Sequence, residues 1–153
     1  MDSASVFMEK ALTLIEQYVN TYGQALMGRY LFPAIPRNDF FTFLDCARVL
    51  MTRRGLCPQF AWIWDAEQNL YHVVLLCNGY GRSDLSDASD CWGRLWAIRT
   101  PQPFTCLSSV RIDAGHLGAV RHRFADDWGA LMPRIKRTAW HQRTWGTSRL
   151  QPS

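Results

Sequence analysis

No stretch of this 153-residue chain holds the apolar run that a membrane-spanning helix needs, about 18 residues or more. No basic flank precedes an apolar run near Met1. Neither a membrane span nor a secretory signal is therefore expected. Paired cysteines are missing too. Cys46, Cys57, Cys77, Cys91 and Cys106 are odd in number and form no CxxC. That argues against a zinc site and a disulfide framework, and for reduced, mostly buried thiols in a cytoplasmic protein. Lysine is scarce, since only Lys10 and Lys136 among 17 basic residues are not arginine. Internal repeats and low-complexity segments are absent.

Aromatics are abundant: seven Trp, eight Phe and five Tyr, which exclude a disordered composition. The length fits one domain over 1–153 with a sizeable core. Its charge is uneven. Residues 1–119 carry 10 Lys/Arg against 11 Asp/Glu, whereas 120–153 carry 7 against 2, an excess of +5. Arginine's planar fork gives bidentate hydrogen bonds to phosphate or carboxylate, so a nucleic acid or nucleoprotein is a natural partner. A basic tail that merely aids solubility is the plainer alternative.

Periodicity orders the chain. Val6, Phe7, Ala11, Leu14, Ile15, Tyr18 and Tyr22 recur at helical spacing, with Ser3 or Ser5 as cap and Gly23 as stop. Residues 28–37 hold two prolines and read as an extended linker. Asn38 is the expected N-cap of a second helix running to Arg54, with Gly55 ending it. Strands follow at about 59–64 and 70–77, then turn signals over 78–84. A third helix over 84–98, a strand near 105–112 and a last helix near 121–132 complete the pattern. The expectation is an α+β fold, a small antiparallel sheet with helices 38–54 and 84–98 on one face.

The densest signal is Phe60-Ala-Trp-Ile-Trp-Asp-Ala-Glu-Gln-Asn-Leu-Tyr-His-Val-Val-Leu-Leu-Cys-Asn78, two strands around a polar turn. Alternation puts Leu70 and His72 on one face of the second strand. A lone His on such a strand is by default a hydrogen-bonded core residue, and Glu67 by default a solvated acid. Trp62 and Trp64 share a face and suit a core better than a base-stacking platform. His116, His122 and His141 fall at no joining spacing, Ser108-Ser109 lacks a nucleophile elbow, and Gly79-Tyr-Gly81 is a turn rather than a phosphate loop.

The order of the Arg37-Asn-Asp-Phe-Phe helix, the hairpin with its acidic turn, a helix holding Trp92, and Arg143-Thr-Trp-Gly-Thr-Ser-Arg149 resembles the inovirus-type replication proteins and the related YagK/YfjJ prophage family. These are similar to HUH endonucleases. The resemblance covers residues 37–149 and implies an HUH- or RRM-like two-layer sandwich, preceded by the N-terminal helix of 1–27. It also implies a chemistry in which two His and an acid hold Mg or Mn on a scissile phosphate, and a Tyr attacks it. Here Glu67 and His72 stand as vestigial metal candidates, but Leu70 replaces the other His. Lys136 matches the family's lysine, while Pro133 stands where the nucleophilic Tyr belongs. After His72 the only Tyr is Tyr80, in a turn.

The expected protein is therefore non-catalytic, without cofactor, and of phage or mobile-element origin in a bacterial cytoplasm. Its expected partner is DNA, RNA, or a host protein or nucleoprotein complex, and an anti-CRISPR inhibitor is one form such a protein takes. An active metal-dependent nicking initiator is the alternative. Arg134, Lys136, Arg137, Trp140, Arg143, Trp145 and Arg149 interleave cations with aromatics and are the candidate binding residues.

Overall fold

Apolar alternation on both sides of a short polar turn builds a hairpin, and that hairpin organises the molecule. The computed structural model describes residues 3–129 and 145–147. Strand β2 (Gln59–Asp65) pairs antiparallel with β3 (Leu70–Cys77), from Gln59 opposite Leu76 to Asp65 opposite Leu70. Asn69 closes the turn at φ 57°, a left-handed conformation that asparagine tolerates well. Strand β1 (Gln24–Pro33) lies on the other side of β3, and β4 (Thr105–Asp113) lies outside β1. A short β5 (Trp145–Thr147) closes the far edge, giving the order β4-β1-β3-β2-β5, with every pairing antiparallel.

Helix α2 (Arg37–Arg53) connects β1 to β2, and α3 (Ser86–Arg99) connects β3 to β4. The run β1-α2-β2-β3-α3-β4 is thus the ferredoxin-like βαββαβ unit. The fold is α+β as expected, with α2 and α3 together on one face. Their stripes meet the inward side of the sheet in one core: Phe40, Phe43 and Met51 from α2, Trp92 and Trp96 from α3, and Tyr30, Phe32, Tyr71 and Leu75 from the strands. Phe40 stacks on Tyr71 at 3.8 Å, and Phe32 contacts both indoles at 5.0 and 4.9 Å. The two indole nitrogens of α3 are satisfied, Trp92 donating to Met51 Sδ and Trp96 to the Gln102 carbonyl. Trp62 belongs to this core, and Trp64 is packed against it.

The opposite face carries a second core. Helix α1 (Ser3–Tyr22) supplies Phe7, Ala11, Ile15 and Tyr18, and α4 (Leu117–Gly129) supplies Phe124 and Trp128. They cover Ala25, Met27, Ile63, Val74, Leu76 and Ile112 from the strands. Among the described residues no helix is long and apolar enough to cross a membrane.

Several expectations are corrected. Most of the supposed linker of 28–37 is β1, a long strand beside the centre of the sheet; Pro33 ends it and Pro36 precedes α2, so the prolines bound the elements instead of excluding them. Asn38 does not cap α2. The helix begins at Arg37, no side chain caps it, and the Asn38 carbonyl accepts from Thr42 Oγ1. The last helix starts earlier than expected, at Leu117 after a 3-10 turn over Ala114–His116, and the position of Pro133 lies outside the described residues. The thiols are less uniformly buried than expected. Cys77 and Cys91 are buried, whereas Cys46 and Cys106 are exposed and Cys57 is intermediate; all five are free.

Candidate functional site

The hairpin end of the sheet gathers the polar residues of the second face. His72 follows the same parity on β3 as Val74 and Leu76, so its ring turns toward α4. Ile63 sits opposite it on β2, which places Asp65, two residues on, over the same face. His72 Nε2 lies 3.3 Å from Asp65 Oδ2, and the two residues are 8% and 1% exposed. The other carboxylate oxygen, Oδ1, accepts the turn amide of Gln68 at 3.2 Å. Asp65 thus joins the imidazole to the hairpin turn, with both its oxygens occupied.

Trp128 covers the pair. Its ring lies 5.6 Å from the His72 ring, stacks on Phe124 at 5.3 Å and contacts Phe7 at 5.2 Å. The guanidinium of Arg29, from β1, stands 5.2 Å from the Trp128 centroid, a cation–π arrangement. Arg29, Trp128, His72 and Asp65 form a chain of contacts from the sheet surface to the turn. Glu67 is exposed in the turn and Leu70 is half-buried opposite Asp65. The acid that meets His72 is therefore Asp65, not Glu67. Strand parity, with Ile63 opposite His72, is the signal in the sequence that marks Asp65.

The pair is buried beneath Trp128. Among the described residues, no group of three or more His, Cys, Asp or Glu comes together to hold a metal ion. His116 and His122 are exposed and pair locally with Asp113 at 3.1 Å and Asp126 at 3.4 Å. Of the five tyrosines, Tyr18, Tyr30 and Tyr71 are buried, Tyr22 is intermediate, and only Tyr80 is exposed, at 63%. Tyr80 follows the far end of β3. At about 3.3 Å per residue, the strand from His72 to Cys77 alone separates it from the hairpin site by roughly 16 Å.

Of the expected binding residues, Arg134, Lys136, Arg137, Trp140, Arg143 and Arg149 lie outside the described residues. Trp145 is in β5, and its backbone pairs with Ile63. Ile63 is also the partner of His72. Two strand spacings of about 4.8 Å thus put the Trp145 backbone roughly 10 Å from that of His72. α4 reaches the same end of the sheet through Trp128. The described residues end at α4, whose Trp128 touches His72, and resume in β5, two strands from His72; between them the sequence holds Arg134, Lys136, Arg137 and Arg143.

No family model, curated protein or solved structure matches the chain. The likeness to replication initiators rests on the residues quoted above.

Proposed function

We propose that the chain is a non-catalytic binding protein, built on a replication-initiator scaffold of phage or mobile-element origin, that engages a nucleic acid or a host nucleoprotein complex without cutting it. One observation carries this reading. The described residues on either side of the arginine-rich segment, Trp128 and strand β5, lie at the end of the sheet that holds His72, and the sequence between them carries Arg134, Lys136, Arg137 and Arg143. The cutting machinery itself is spent on structure. Asp65 is divided between His72 and the turn, Leu70 contributes no ligand, and the exposed tyrosine is at the other end of the strand. Arginines hold phosphates through bidentate, charge-assisted hydrogen bonds. Capping a host defence machine, as an anti-CRISPR protein does, is one use of such a surface.

The test is fluorescence anisotropy of a labelled single-stranded oligonucleotide across a salt series, with Mg or Mn present and a denaturing gel run in parallel. Binding should weaken with salt, and no covalent adduct should form. A variant with Arg134→Glu, Arg137→Glu and Arg143→Glu, shown folded by circular dichroism, should lose affinity and salt slope together, about one unit of slope per lost phosphate contact. A covalent adduct, or unchanged affinity in the folded variant, would overturn the reading. Where the oligonucleotide does not bind, capture from a bacterial lysate with and without nuclease separates a protein partner from none.

A further inference from the structure

Strand β4 is one edge of the sheet. β1 pairs with its inner side, and among the described residues nothing pairs with its outer side. It is nine residues long, so it presents a row of backbone N–H and C=O groups over roughly 30 Å. Such an edge is a template for another strand, and proteins blunt it with lysine, proline, bulges or brevity. β4 holds no lysine and no proline. Its one device of this kind is a bulge at Leu107, where the register with β1 shifts between Ser108 and Cys106 and the side chain stands 46% exposed. From Ser108 to Asp113 the pairing with β1 is regular, and only Ile112 in that stretch is buried.

The side chains of this regular stretch are compatible with a second copy of themselves. Antiparallel pairing about a two-fold axis through Val110 sets Val110 against Val110, Ser109 against Arg111 and Ser108 against Ile112. Val110 lines an open groove with Met27, Val120 and Phe124, so a Val110 pair extends apolar surface that is already there. Moving the axis one residue on, to Arg111, opposes two arginines, and moving it one back, to Ser109, runs the pairing into the bulge. One register is therefore preferred. A foreign strand drawn by charge finds little here. Arg29 and Arg123 are engaged within the chain, Arg111 is held by the Gly79 carbonyl and Gln24, and within β4 Arg111 is balanced by Asp113.

We propose that β4 is a self-association edge: two copies of this chain pair antiparallel through residues 108–112 about Val110, joining their sheets into one. The paired strip measures roughly 17 Å by 10 Å. That is far below the area of a standard interface, about 800 Å2 per partner, so the dimer is reversible, with a Kd on the order of 10–100 μM. It uses neither the hairpin cluster nor Arg134, Arg137 and Arg143, so it stands or falls independently of nucleic-acid binding.

The test is sedimentation equilibrium of the nucleic-acid-free chain from about 1 to about 300 μM, a range that spans the expected Kd. The mass should rise from 17.6 kDa toward twice that value and fall again on dilution. Ser109 is exposed, and the two-fold axis places it opposite Arg111 of the second copy twice over. Ser109→Glu should therefore tighten the dimer about three- to tenfold, and Ser109→Arg should loosen it by a similar factor, each with unchanged circular dichroism. Amide hydrogen exchange compared at the two ends of the concentration range should slow within residues 108–112 and stay unchanged in α2 and α3. A chain that remains at 17.6 kDa throughout overturns the proposal. So does a dimer that both Ser109 variants leave unchanged or shift in the same direction. Protection of the β4 amides that appears only when a foreign protein is added would overturn it too, and would assign the edge to that partner.

Discussion

Replacing Asp65 by alanine tests whether the acid–histidine pair is a structural clasp. The substitution removes two hydrogen bonds at once. His72 is 8% exposed, so its ring nitrogen loses a buried partner and has little water to replace it, a cost of about 1–3 kcal/mol. The Gln68 amide loses its acceptor in an exposed turn, where water replaces it, and a cap of that kind contributes about 0.5–1 kcal/mol. The sum is about 1.5–4 kcal/mol, a fall in Tm of roughly 3–16 °C for a chain of this size. Urea unfolding followed by tryptophan fluorescence and by far-ultraviolet circular dichroism gives the free energy, and coincidence of the two probes checks that the transition is two-state. Adding His72→Leu to Asp65→Ala removes the stranded nitrogen and should recover about 1 kcal/mol. A loss below about 0.5 kcal/mol for Asp65→Ala, or strict additivity of the two substitutions, would refute the clasp, because groups in contact must show a coupling energy.

Other consequences follow from burial and packing. With Ellman's reagent at pH 8, Cys46 and Cys106 should react fast and Cys57 more slowly, while Cys77 and Cys91 should react only in denaturant; a fourth reactive thiol in the native chain would contradict the packing of α3 on β3. Burial pushes the Cys77 thiol up to about 12 and raises the Tyr18 and Tyr30 phenols as well. The unfolded chain therefore releases these protons first, and stability that is fully present below about pH 8.5 should decline as pH rises toward 12. Urea midpoints that are equal at pH 8 and 10.5 would refute this. A Cβ at Gly146 would meet the Trp62 indole at 2.6 Å, so Gly146→Val should unseat β5 and speed hydrogen exchange at Ala61 and Ile63, costing about 1–3 kcal/mol locally. Because β5 is one anchor of the arginine-rich segment, the same variant should weaken oligonucleotide binding.

Much of the architecture was local information. The helical stripe through Phe7, Leu14 and Tyr18, the stop at Gly23 with φ +80°, the Phe40–Met51 stripe and the alternation over 59–77 each follow from a period that one segment carries by itself. β1 escaped that reading because it is covered on both faces. Its residues are nearly all apolar, so no alternation survives, and the prolines at its end look like those of a linker. Asp65 escaped for a different reason. Whether an acid meets a histidine depends on the register between two strands and on the parity of each position, and the residue nearest in the family pattern was Glu67. The sequence by itself determined which segments form helices and hairpin strands and where the positive charge lies. Only the tertiary structure decided that His72 clasps Asp65 beneath Trp128 and that β5 returns to pair with β2, because contacts between distant segments are set by sheet order and packing, which no single segment encodes.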